Sequence, residues 1–295
     1  MKFLKKLRII YFKFMKKYAI VDLKGGLGNQ IFQYSFARYL EKIGFSVKYN
    51  LNFYHIDNTN NTRREFLLDR LDIKLREVNL FFLKFVNFLN FLANSKKIKK
   101  IFPFFKKYIF KYFKEKDFKN DSLLNHYPIF NYFDGYWQSN EHHLIIQKNE
   151  LSSHFGLIKK SFQNEKVMIH VRRSDYLKLG IELPIDYYSE ALKLLESKLG
   201  PFQFDIYTDD YEWVLNQEIF KSFQNIYTDK DDALASFKQM IGYQHYIIAN
   251  STYSYLAAFF GEEKQSEIMM PYKWSKNKDE NFLTKNNWTK VKFEL

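Results

Sequence analysis

Residues able to do chemistry are concentrated at positions 169–176, which read IHVRRSDY. A short apolar run precedes them and is typical of a buried strand, after which the chain presents His170, Arg172, Arg173 and Asp175 within six residues. Two adjacent guanidinium groups fit phosphate oxygens in pairs, and open α/β sheets bind ligands at the carboxyl ends of their strands. The pattern therefore predicts a phosphate clamp. The alternative is a surface loop in which Arg172 and Asp175 only pair with each other.

Two further polar clusters follow predicted strands in the second half of the chain. One is Thr208-Asp209-Asp210, and the other is Asn250-Ser251-Thr252, which opens a predicted helix that also carries Ser254. Ser and Thr at such positions commonly cap the helix, and the same hydroxyls and amides can also bind phosphate. Taken with the arginine pair, the three clusters indicate a nucleotide-diphosphate site in which a carboxylate could bond a purine N–H edge.

A metal site receives little support from the sequence. There are no cysteines, and His142 and His143 are the only close histidine pair, so no zinc site is expected. The triplet Asp229-Lys230-Asp231 resembles a manganese-binding D-x-D, but acids at this position also favour the start of the following helix. If it is a cap, the arginines must neutralise a leaving diphosphate without a cation.

A glycine-rich turn follows the first predicted strand, residues 18–23. It reads Gly25-Gly26-Leu27-Gly28-Asn29-Gln30 and leads into a predicted helix. Glycines in a strand-to-helix turn permit positive φ and close ligand approach to backbone amides. The spacing matches neither a dinucleotide fingerprint nor a P-loop. Further along, Trp137 is compatible with stacking on a sugar and equally with a place in the core.

The elements needed to position these groups alternate regularly. After residue 165 strands and helices follow one another with short connections, which predicts a parallel sheet covered on both faces. With 295 residues, two domains of roughly 150 residues each are expected. Predicted strands cover 45–49, 166–171, 204–207, 225–227, 246–249 and 267–270, and predicted helices cover 31–43, 140–154, 186–199, 211–220, 231–243 and 252–260. The region 80–119 is predicted to be helical.

The net charge of +13 is local rather than general. Residues 1–20 carry +7 and residues 96–119 carry +8, so the rest of the chain is close to −2. In the second block lysines alternate with aromatic residues, which suits an interfacial segment at an anionic membrane. Nucleic-acid binding is the alternative, because aromatic residues also stack on single-stranded bases.

No segment is expected to span a membrane or to act as a signal peptide. The most apolar run, residues 80–93, is interrupted by polar side chains and is shorter than the roughly 20 residues required. The absence of cysteine fits a reducing compartment. Met15 is a possible second start, so residues 1–14 are either an added basic arm or a mis-assigned start.

Six stretches together resemble the bacterial α-1,2-fucosyltransferases, the galactoside 2-α-L-fucosyltransferase family, also called glycosyltransferase family 11. The resemblance covers nearly everything from Met15 onward and departs from the family at residues 1–14, in the block around 96–119, and at Ser174, where glycine is usual. The matching stretches are 25–34, 135–138, 170–176, 207–210, 247–254 and 271–274.

The resemblance implies a GT-B-like α/β fold of two Rossmann-like domains whose parallel sheets face a cleft. The expected domains are residues 15–155 on the acceptor side, with a Lys/aromatic insertion near 80–119, and residues 156–295 for the GDP-sugar. It also implies inverting, metal-independent transfer of L-fucose from GDP-fucose to the 2-hydroxyl of a terminal galactoside in a surface glycan.

Carried onto this sequence, the resemblance assigns the diphosphate to Arg173, with Arg172 beside it. Asp175 is the first candidate for a general base, with orientation of an arginine as its alternative role. The remaining expected substrate-binding residues are His170, Tyr176, Asp209, Asp210, Asn250, Ser251, Thr252, Ser254, Gly28, Asn29 and Gln30.

The expected partners are GDP-fucose and a galactose-terminated acceptor that could be lipid-linked, with no cofactor and no nucleic acid. Residues 1–14 and 96–119 are expected to hold the enzyme peripherally at the inner face of the cytoplasmic membrane. Transfer from another GDP-sugar and a basic nucleic-acid-binding protein are the alternatives.

Overall fold

The structure, a computed structural model, describes residues 15–55, 64–102, 105–118, 127–138, 141–154, 166–228, 232–274, 283 and 285–293. The predictions for the arm 1–14 and for Asp229-Lys230-Asp231 lie outside these ranges. The chain divides into two compact units, Met1–Gln147 and Lys148–Leu295. The expected boundary was between residues 155 and 156.

Unit 1 contains a four-stranded sheet in the order β2-β1-β4-β3, and all neighbouring strands are parallel. Its strands are β1 (Tyr18–Asp22), β2 (Ser46–Asn50), β3 (Phe110–Lys114) and β4 (Phe130–Asp134). Its helices are α1 (Leu27–Lys42), α2 (Asn52–His55), α3 (Leu80–Asn94), α4 (Lys96–Ile101), α5 (Phe105–Tyr108) and α6 (Glu141–His154), and short 3-10 turns lie at Asp69–Leu71 and Glu115–Asp117.

The first helix begins earlier than the sequence predicts, because the glycine turn itself enters it. Gly25 has φ +84° and Gly26 is extended, so α1 begins at Leu27. Ile31, Phe36 and Leu40 are fully buried, which fixes one face of α1 on the sheet. The helix ends where the chain turns at Gly44, with φ +105°, as the sequence predicts.

The prediction of helix throughout 80–119 is wrong for residues 110–114, which form the edge strand β3. Phe110 and Phe113 are buried while Lys111 and Tyr112 are exposed. A spacing of three between apolar residues is ambiguous in so short a segment, and pairing with β4 decides in favour of the strand. Exposed lysines suit an edge strand, because they discourage pairing with other chains.

Unit 2 contains a six-stranded, entirely parallel sheet in the order β10-β9-β8-β5-β6-β7. Its strands are β5 (Val167–Val171), β6 (Phe204–Thr208), β7 (Asn225–Thr228), β8 (His245–Ile247), β9 (Ile268–Pro271) and β10 (Thr289–Val291). Its helices are α7 (Ser174–Leu179), α8 (Ile185–Leu199), α9 (Tyr211–Leu215), α10 (Ala233–Ile241) and α11 (Thr252–Gly261), with a 3-10 turn at Glu218–Phe220.

The α/β class and the parallel sheets are thereby confirmed. Every residue of the neighbouring strands β5 and β6 is buried, which is the pattern of strands covered on both faces. The sequence missed β4 and β10. It also merged α9 with the separate 3-10 turn at Glu218–Phe220. None of the described helices is both long enough and apolar enough to cross a membrane.

Candidate functional site

Three of the predicted polar clusters lie at one edge of the unit 2 sheet. Strand β5 is flanked by β8 and β6, and all three run in the same direction. Val171 is paired with Thr208, so the residues following β5 and those following β6 leave the sheet side by side. The structure thus brings residues 170–176 next to residues 208–210, as the sequence predicts.

Asp209 organises the start of α7. Its carboxylate accepts hydrogen bonds from the backbone amides of Arg173 (2.7 Å) and Ser174 (3.1 Å), and its carbonyl oxygen accepts one from the Ser174 hydroxyl (2.9 Å). Asp209 is buried, and its carboxylate also lies 3.2 Å from Nε of Arg172. These four contacts make Asp209 a positioning residue for the arginine turn, whereas the sequence had suggested guanine binding.

Arg172 is held between two carboxylates. Its Nη2 lies 2.8 Å from Oδ1 of Asp175, and its Nε reaches both Asp175 at 3.0 Å and Asp209 at 3.2 Å. Its guanidinium also lies 5.6 Å from the centre of the Tyr176 ring. Asp175 therefore orients Arg172, which is the alternative role that the sequence left open for it.

Arg173 is held in a different way. Its Nε donates to Asp210 at 3.1 Å, and its guanidinium lies flat at 3.9 Å from the centre of the Trp213 ring. Within the described part of the chain, these contacts leave its two terminal nitrogens without an acceptor. A stacked guanidinium with two outward-facing donors is a geometry that binds two phosphate oxygens at once.

Trp213 is a site residue that sequence reasoning missed. The side chain of Asp210 accepts from the backbone amide of Trp213 at 3.3 Å and thus begins α9, which places the indole beneath Arg173. An aromatic residue three positions after a carboxylate that ends a strand was the available signal.

The acidic groups of this edge outnumber the basic ones. Asp175, Asp209 and Asp210 face Arg172 and Arg173, so a diphosphate must compete with carboxylates for the arginines. Asp209 has most of its charge compensated by two backbone amides. Asp210 is the carboxylate that phosphate has to displace or face, because it is the direct partner of Arg173.

Asn250 connects two segments at the end of β8. Its Nδ2 donates to the carbonyl oxygens of Ile181 and Trp274, both at 2.7 Å, and its own carbonyl accepts from the Tyr176 hydroxyl at 3.3 Å. Asn250 is buried, so in this arrangement it and Tyr176 act on the protein itself.

The hydroxyl cluster after Asn250 is mainly structural. The Ser251 side chain caps α11 by accepting from the amide of Tyr253 at 3.3 Å. Ser254 is fully buried and donates to the carbonyls of Ala249 and Ser251, so it is not exposed to a ligand and its predicted substrate role is corrected. Thr252, the first residue of α11, is the more exposed member of the cluster.

His170 also departs from expectation. Its side chain is fully buried in β5, and its ring centre lies 5.7 Å from that of Tyr253. Its carbonyl oxygen accepts from the Tyr188 hydroxyl at 3.4 Å, and burial raises the pKa of Tyr188 above its usual value, so this hydroxyl stays a donor. A direct guanine contact by the imidazole, as predicted, does not fit this burial.

The glycine turn of unit 1 is held by its own side chains. Gln30 donates to the carbonyls of Gly25 (3.2 Å) and Glu65 (2.8 Å), accepts from the amide of Leu67 (2.9 Å), and is fully buried. Its predicted place lining the cleft is therefore corrected to that of a structural clasp. Gly28 is buried within α1.

Asn29 is only partly buried and fits closely against the turn. A Cβ added at Gly25 would come within 2.5 Å of its Nδ2, so glycine is required there by space as well as by φ. Its Oδ1 accepts from the side chain of Gln138 at 2.8 Å. Among the predicted unit 1 residues, Asn29 is thus the one whose side chain remains accessible.

Trp137 belongs to the core. It is 1% exposed and stacks on Phe36 at 3.9 Å with an interplanar angle of 7°. Its φ of +59° is strained for a bulky residue, and Glu115 fixes this turn by accepting from the amides of Tyr136 and Gln138. Stacking of Trp137 on a sugar, the other option left by the sequence, is excluded by this burial.

A polar cluster that sequence reasoning missed lies at the carboxyl ends of the unit 1 strands. Asp22 ends β1 and accepts from Asn50 Nδ2 at 2.8 Å and from the Tyr132 hydroxyl. Burial raises the pKa of the Asp22 carboxyl, although both hydrogen bonds act to lower it.

The neighbouring carboxylate, Asp134, behaves in the opposite way. It ends β4, forms an ion pair with Lys24 and accepts from the Tyr112 hydroxyl at 2.7 Å. Burial acts to raise its pKa, but the hydrogen bonds from Lys24 and Tyr112, together with the Lys24 charge, outweigh it and lower the pKa. Two carboxylates at adjacent strand ends therefore have pKa values that are shifted in opposite directions.

Comparison with known proteins identifies relatives along nearly the whole chain. The model of the family described as glycosyl transferase family 11 matches residues 13–292. The O-antigen biosynthesis glycosyltransferase WbnK of Escherichia coli is 29% identical, and the alignment covers 90% of this chain and 98% of that protein. The alpha-1,2-colitosyltransferase of Escherichia coli is 25% identical over 89% of this chain and 94% of its own length.

Solved structures resemble the chain more distantly. Arabidopsis thaliana FUT1 in complex with GDP has a TM-score of 0.46 at 13% identity, covering 95% of this chain and 76% of that one. Escherichia coli heptosyltransferase WaaC has a TM-score of 0.44 at 10% identity, covering 93% and 92%.

Proposed function

The chain belongs to glycosyl transferase family 11 and is a glycosyltransferase, and we propose that it transfers L-fucose from GDP-fucose to the 2-hydroxyl of a terminal galactoside. The transfer inverts the anomeric centre and requires no metal ion. The acceptor proposed is a surface glycan of the O-antigen kind, since the first relative reported above is named for O-antigen biosynthesis.

One observation carries the proposal, namely the placement of Arg173. Its guanidinium stands at the carboxyl end of a central parallel strand, stacked on Trp213 and with its terminal nitrogens facing outward. Ligands of open α/β sheets bind at this edge, and two parallel N–H donors match a diphosphate.

In the proposed reaction the acceptor oxygen attacks the anomeric carbon from the face opposite the diphosphate. The new C–O bond forms as the bond to the β-phosphate oxygen breaks, and GDP leaves with that electron pair while the acceptor hydroxyl loses its proton. Negative charge increases on the β-phosphate in the transition state, so donors placed at that group lower the barrier most. Arg173 supplies them.

The other residues of the edge act through Arg173 in this proposal. Asp209 fixes the backbone at residues 173 and 174, and Asp175 holds Arg172 beside it. A fixed arrangement avoids reorganisation during the reaction, which is the main advantage of a preorganised site over water. Asp175 is thereby a positioning residue, since Arg172 occupies its carboxylate.

A second candidate donor is another GDP-sugar. The relative named alpha-1,2-colitosyltransferase favours GDP-colitose as the sugar nucleotide to compare. The arginine turn would serve either donor equally, because it contacts the diphosphate and not the sugar. The choice must therefore be made by assay of the two donors side by side.

Peripheral contact with an anionic membrane is also part of the proposal. It would bring the enzyme to an acceptor built on a lipid carrier, and the lysine block at 96–119 supports it.

The test is a thermal-shift series with GDP, UDP, CDP and ADP, each with and without EDTA. A ligand at 100 times its dissociation constant adds about 2.7 kcal/mol to the stability of the unit that binds it. We expect stabilisation by GDP alone, with no effect of EDTA. A preference for UDP, or a shift abolished by EDTA, would contradict the metal-free guanine nucleotide site.

Transfer is then measured with GDP-fucose and GDP-colitose on a galactoside acceptor, and the linkage of the product is determined by NMR. A 1,2-linked fucosyl product supports the proposal. Exclusive use of GDP-colitose, or a different linkage, would replace the substrate while leaving the family unchanged.

A further inference from the structure

Helix α3 (Leu80–Asn94) is apolar around its whole circumference. Its only charged residue is Lys84, and its start is fixed by Asn79, whose side chain accepts from the amide of Phe82 at 2.8 Å. A helix that is hydrophobic on all sides is normally enclosed by protein or lipid.

The inner face of α3 has protein partners. Leu83, Val86, Leu89 and Ala93 are buried at helical spacing, and they pack in one cluster with residues of the sheet, namely Ile20, Phe110 and Tyr132. This contact holds the helix in place on unit 1.

The outer face is exposed and mostly aromatic. Phe81, Phe85, Phe88 and Phe91 lie along one stripe of the helix and are 82%, 38%, 54% and 70% exposed. The surface continues beyond the helix, since Ile101 and Phe102 after α4 are 74% and 54% exposed. Isolated exposed apolar residues are normal in soluble proteins, but a contiguous aromatic patch marks an interaction site.

The charge around this patch has one sign. Residues 80–114 contain nine lysines and no Asp, Glu or Arg. Among them Lys84 lies on the aromatic stripe itself, and Lys96, Lys97, Lys100, Lys106 and Lys107 are exposed nearby. The patch therefore matches a partner that is both apolar and anionic.

We propose that the outer face of α3, continued by Ile101 and Phe102, is a membrane-docking surface that lies in the interface of an anionic lipid bilayer. A bilayer supplies acyl chains for the phenylalanines and phosphate headgroups for the lysines at the same place. The 15 residues of α3 span about 22 Å, short of the roughly 30 Å hydrocarbon core, so the helix lies along the surface.

A second copy of the chain fits this face less well. A twofold contact through α3 would place the lysines of one copy near the lysines of the other, in a surface with no acid to compensate them. Nucleic acid would satisfy the lysines but would leave most of the phenylalanine stripe in water.

This inference rests on the proposed function only for its biological reason, which is access to a lipid-carried acceptor. It locates the contact on α3, whereas the sequence had placed it at residues 1–14 and 96–119. The binding itself does not depend on which sugar is transferred.

The test measures sedimentation with vesicles of phosphatidylcholine alone and of phosphatidylcholine with phosphatidylglycerol. The variant Phe81→Ala/Phe88→Ala/Phe91→Ala removes three exposed rings without touching the buried face. Burial of one such ring is worth about 1.5 kcal/mol or more, so we expect partitioning to fall by roughly 10²- to 10³-fold. The wild-type chain should bind the anionic vesicles, and 1 M salt should weaken this binding because the Debye length falls to about 3 Å.

Two matched controls accompany the triple variant. Asn87→Ala changes an exposed polar position of the same helix, and Leu179→Ala/Leu215→Ala removes exposed apolar side chains from unit 2. Both should sediment like the wild type. Circular dichroism and the GDP thermal shift should be unchanged in all variants, which separates loss of docking from loss of the donor site.

Three results would overturn the proposal. Equal sedimentation of the triple variant and the wild type would show that α3 does not dock. Concentration-dependent dimerisation that the triple variant abolishes, without vesicle binding, would assign the face to a second copy. Salt-sensitive DNA binding without vesicle binding would assign the lysines to nucleic acid.

Discussion

Asp209 and Asp210 are neighbours in sequence and do different work. Asp209 is buried and spends its oxygens on the backbone of the arginine turn, whereas Asp210 is partly exposed, pairs with Arg173 and caps α9. The difference follows from the strand end, where successive side chains point to opposite sides. One carboxylate therefore builds the site, and the other competes directly with the ligand.

Arg173→Ala should lower kcat/KM for donor transfer by about 10²-fold or more, because charge on the departing β-phosphate loses its donors. Arg173→Lys keeps the charge but not the fork and should fall between the two. Initial rates with GDP-fucose measure this, and Lys221→Ala is the control, since Lys221 is an exposed cation of the same unit that pairs only locally with Glu218. Comparable donor consumption by Arg173→Ala would remove Arg173 from the mechanism.

The site residues differ in how far the sequence could place them. Strand-end position and residue type were sufficient to bring Arg172, Arg173 and Asp209 together. They could not reveal that Ser254 and Gln30 are consumed by internal hydrogen bonds, because that depends on which carbonyls tertiary packing brings near. Trp213 was missed because its role comes from the start of α9, which Asp210 sets.

At the scale of elements, the strand ends of unit 1 hold an opposed pair of carboxylates. Asp22 receives two neutral donors and is buried, whereas Asp134 faces a lysine. Desolvation dominates at Asp22, and charge pairing with hydrogen bonds dominates at Asp134. The two positions should therefore respond to neutralisation with opposite signs.

Asp22→Asn should stabilise unit 1 at neutral pH, and Asp134→Asn should destabilise it. The folded-state pKa of Asp22 is raised, so its charged form costs stability above the ordinary pKa of an aspartate, and this cost disappears at lower pH. The folded-state pKa of Asp134 is lowered, so its contribution is present above the ordinary pKa and is lost as pH falls through the folded value. Urea unfolding at several pH values measures both, and effects of the same sign would refute the electrostatic account.

The fold was predictable where alternation is regular and less so where composition is unusual. In unit 2 the buried apolar strands and the intervening helices are separated by clear turn residues, so most elements lie within a few residues of their predicted positions. In unit 1 the lysine and aromatic residues of 96–119 obscure the period of two, and β3 was assigned to a helix. Only pairing with the distant β4 determines its conformation.

At the scale of the whole molecule, two functions are divided between two units. Unit 2 carries the arginine turn, and unit 1 carries both blocks of excess positive charge, +7 at residues 1–20 and +8 at residues 96–119. Each unit has its own parallel sheet. A ligand of the arginine turn should therefore report on one unit selectively.

GDP should slow hydrogen exchange at residues 172–176 and 208–215 while leaving the amides of β1 and β4 unchanged. Ligand binding adds free energy only to openings that disrupt its site. Hydrogen exchange followed by mass spectrometry resolves these peptides, and UDP is the control nucleotide. Equal protection of β1 would mean that the nucleotide is held by unit 1 as well.

The strand order β2-β1-β4-β3 has a consequence for synthesis. Strand β1 is made early, but its neighbour β4 follows about 110 residues later, and β3 has no partner except β4. At 5–20 residues per second, the ribosome needs roughly 5–20 s to supply β4. Throughout that interval β1 carries an open apolar edge, and the aromatic helix α3 has already been made. The nascent chain therefore presents its most lipophilic segment before the sheet that will support it is complete, which makes early contact with a membrane or a chaperone part of its folding.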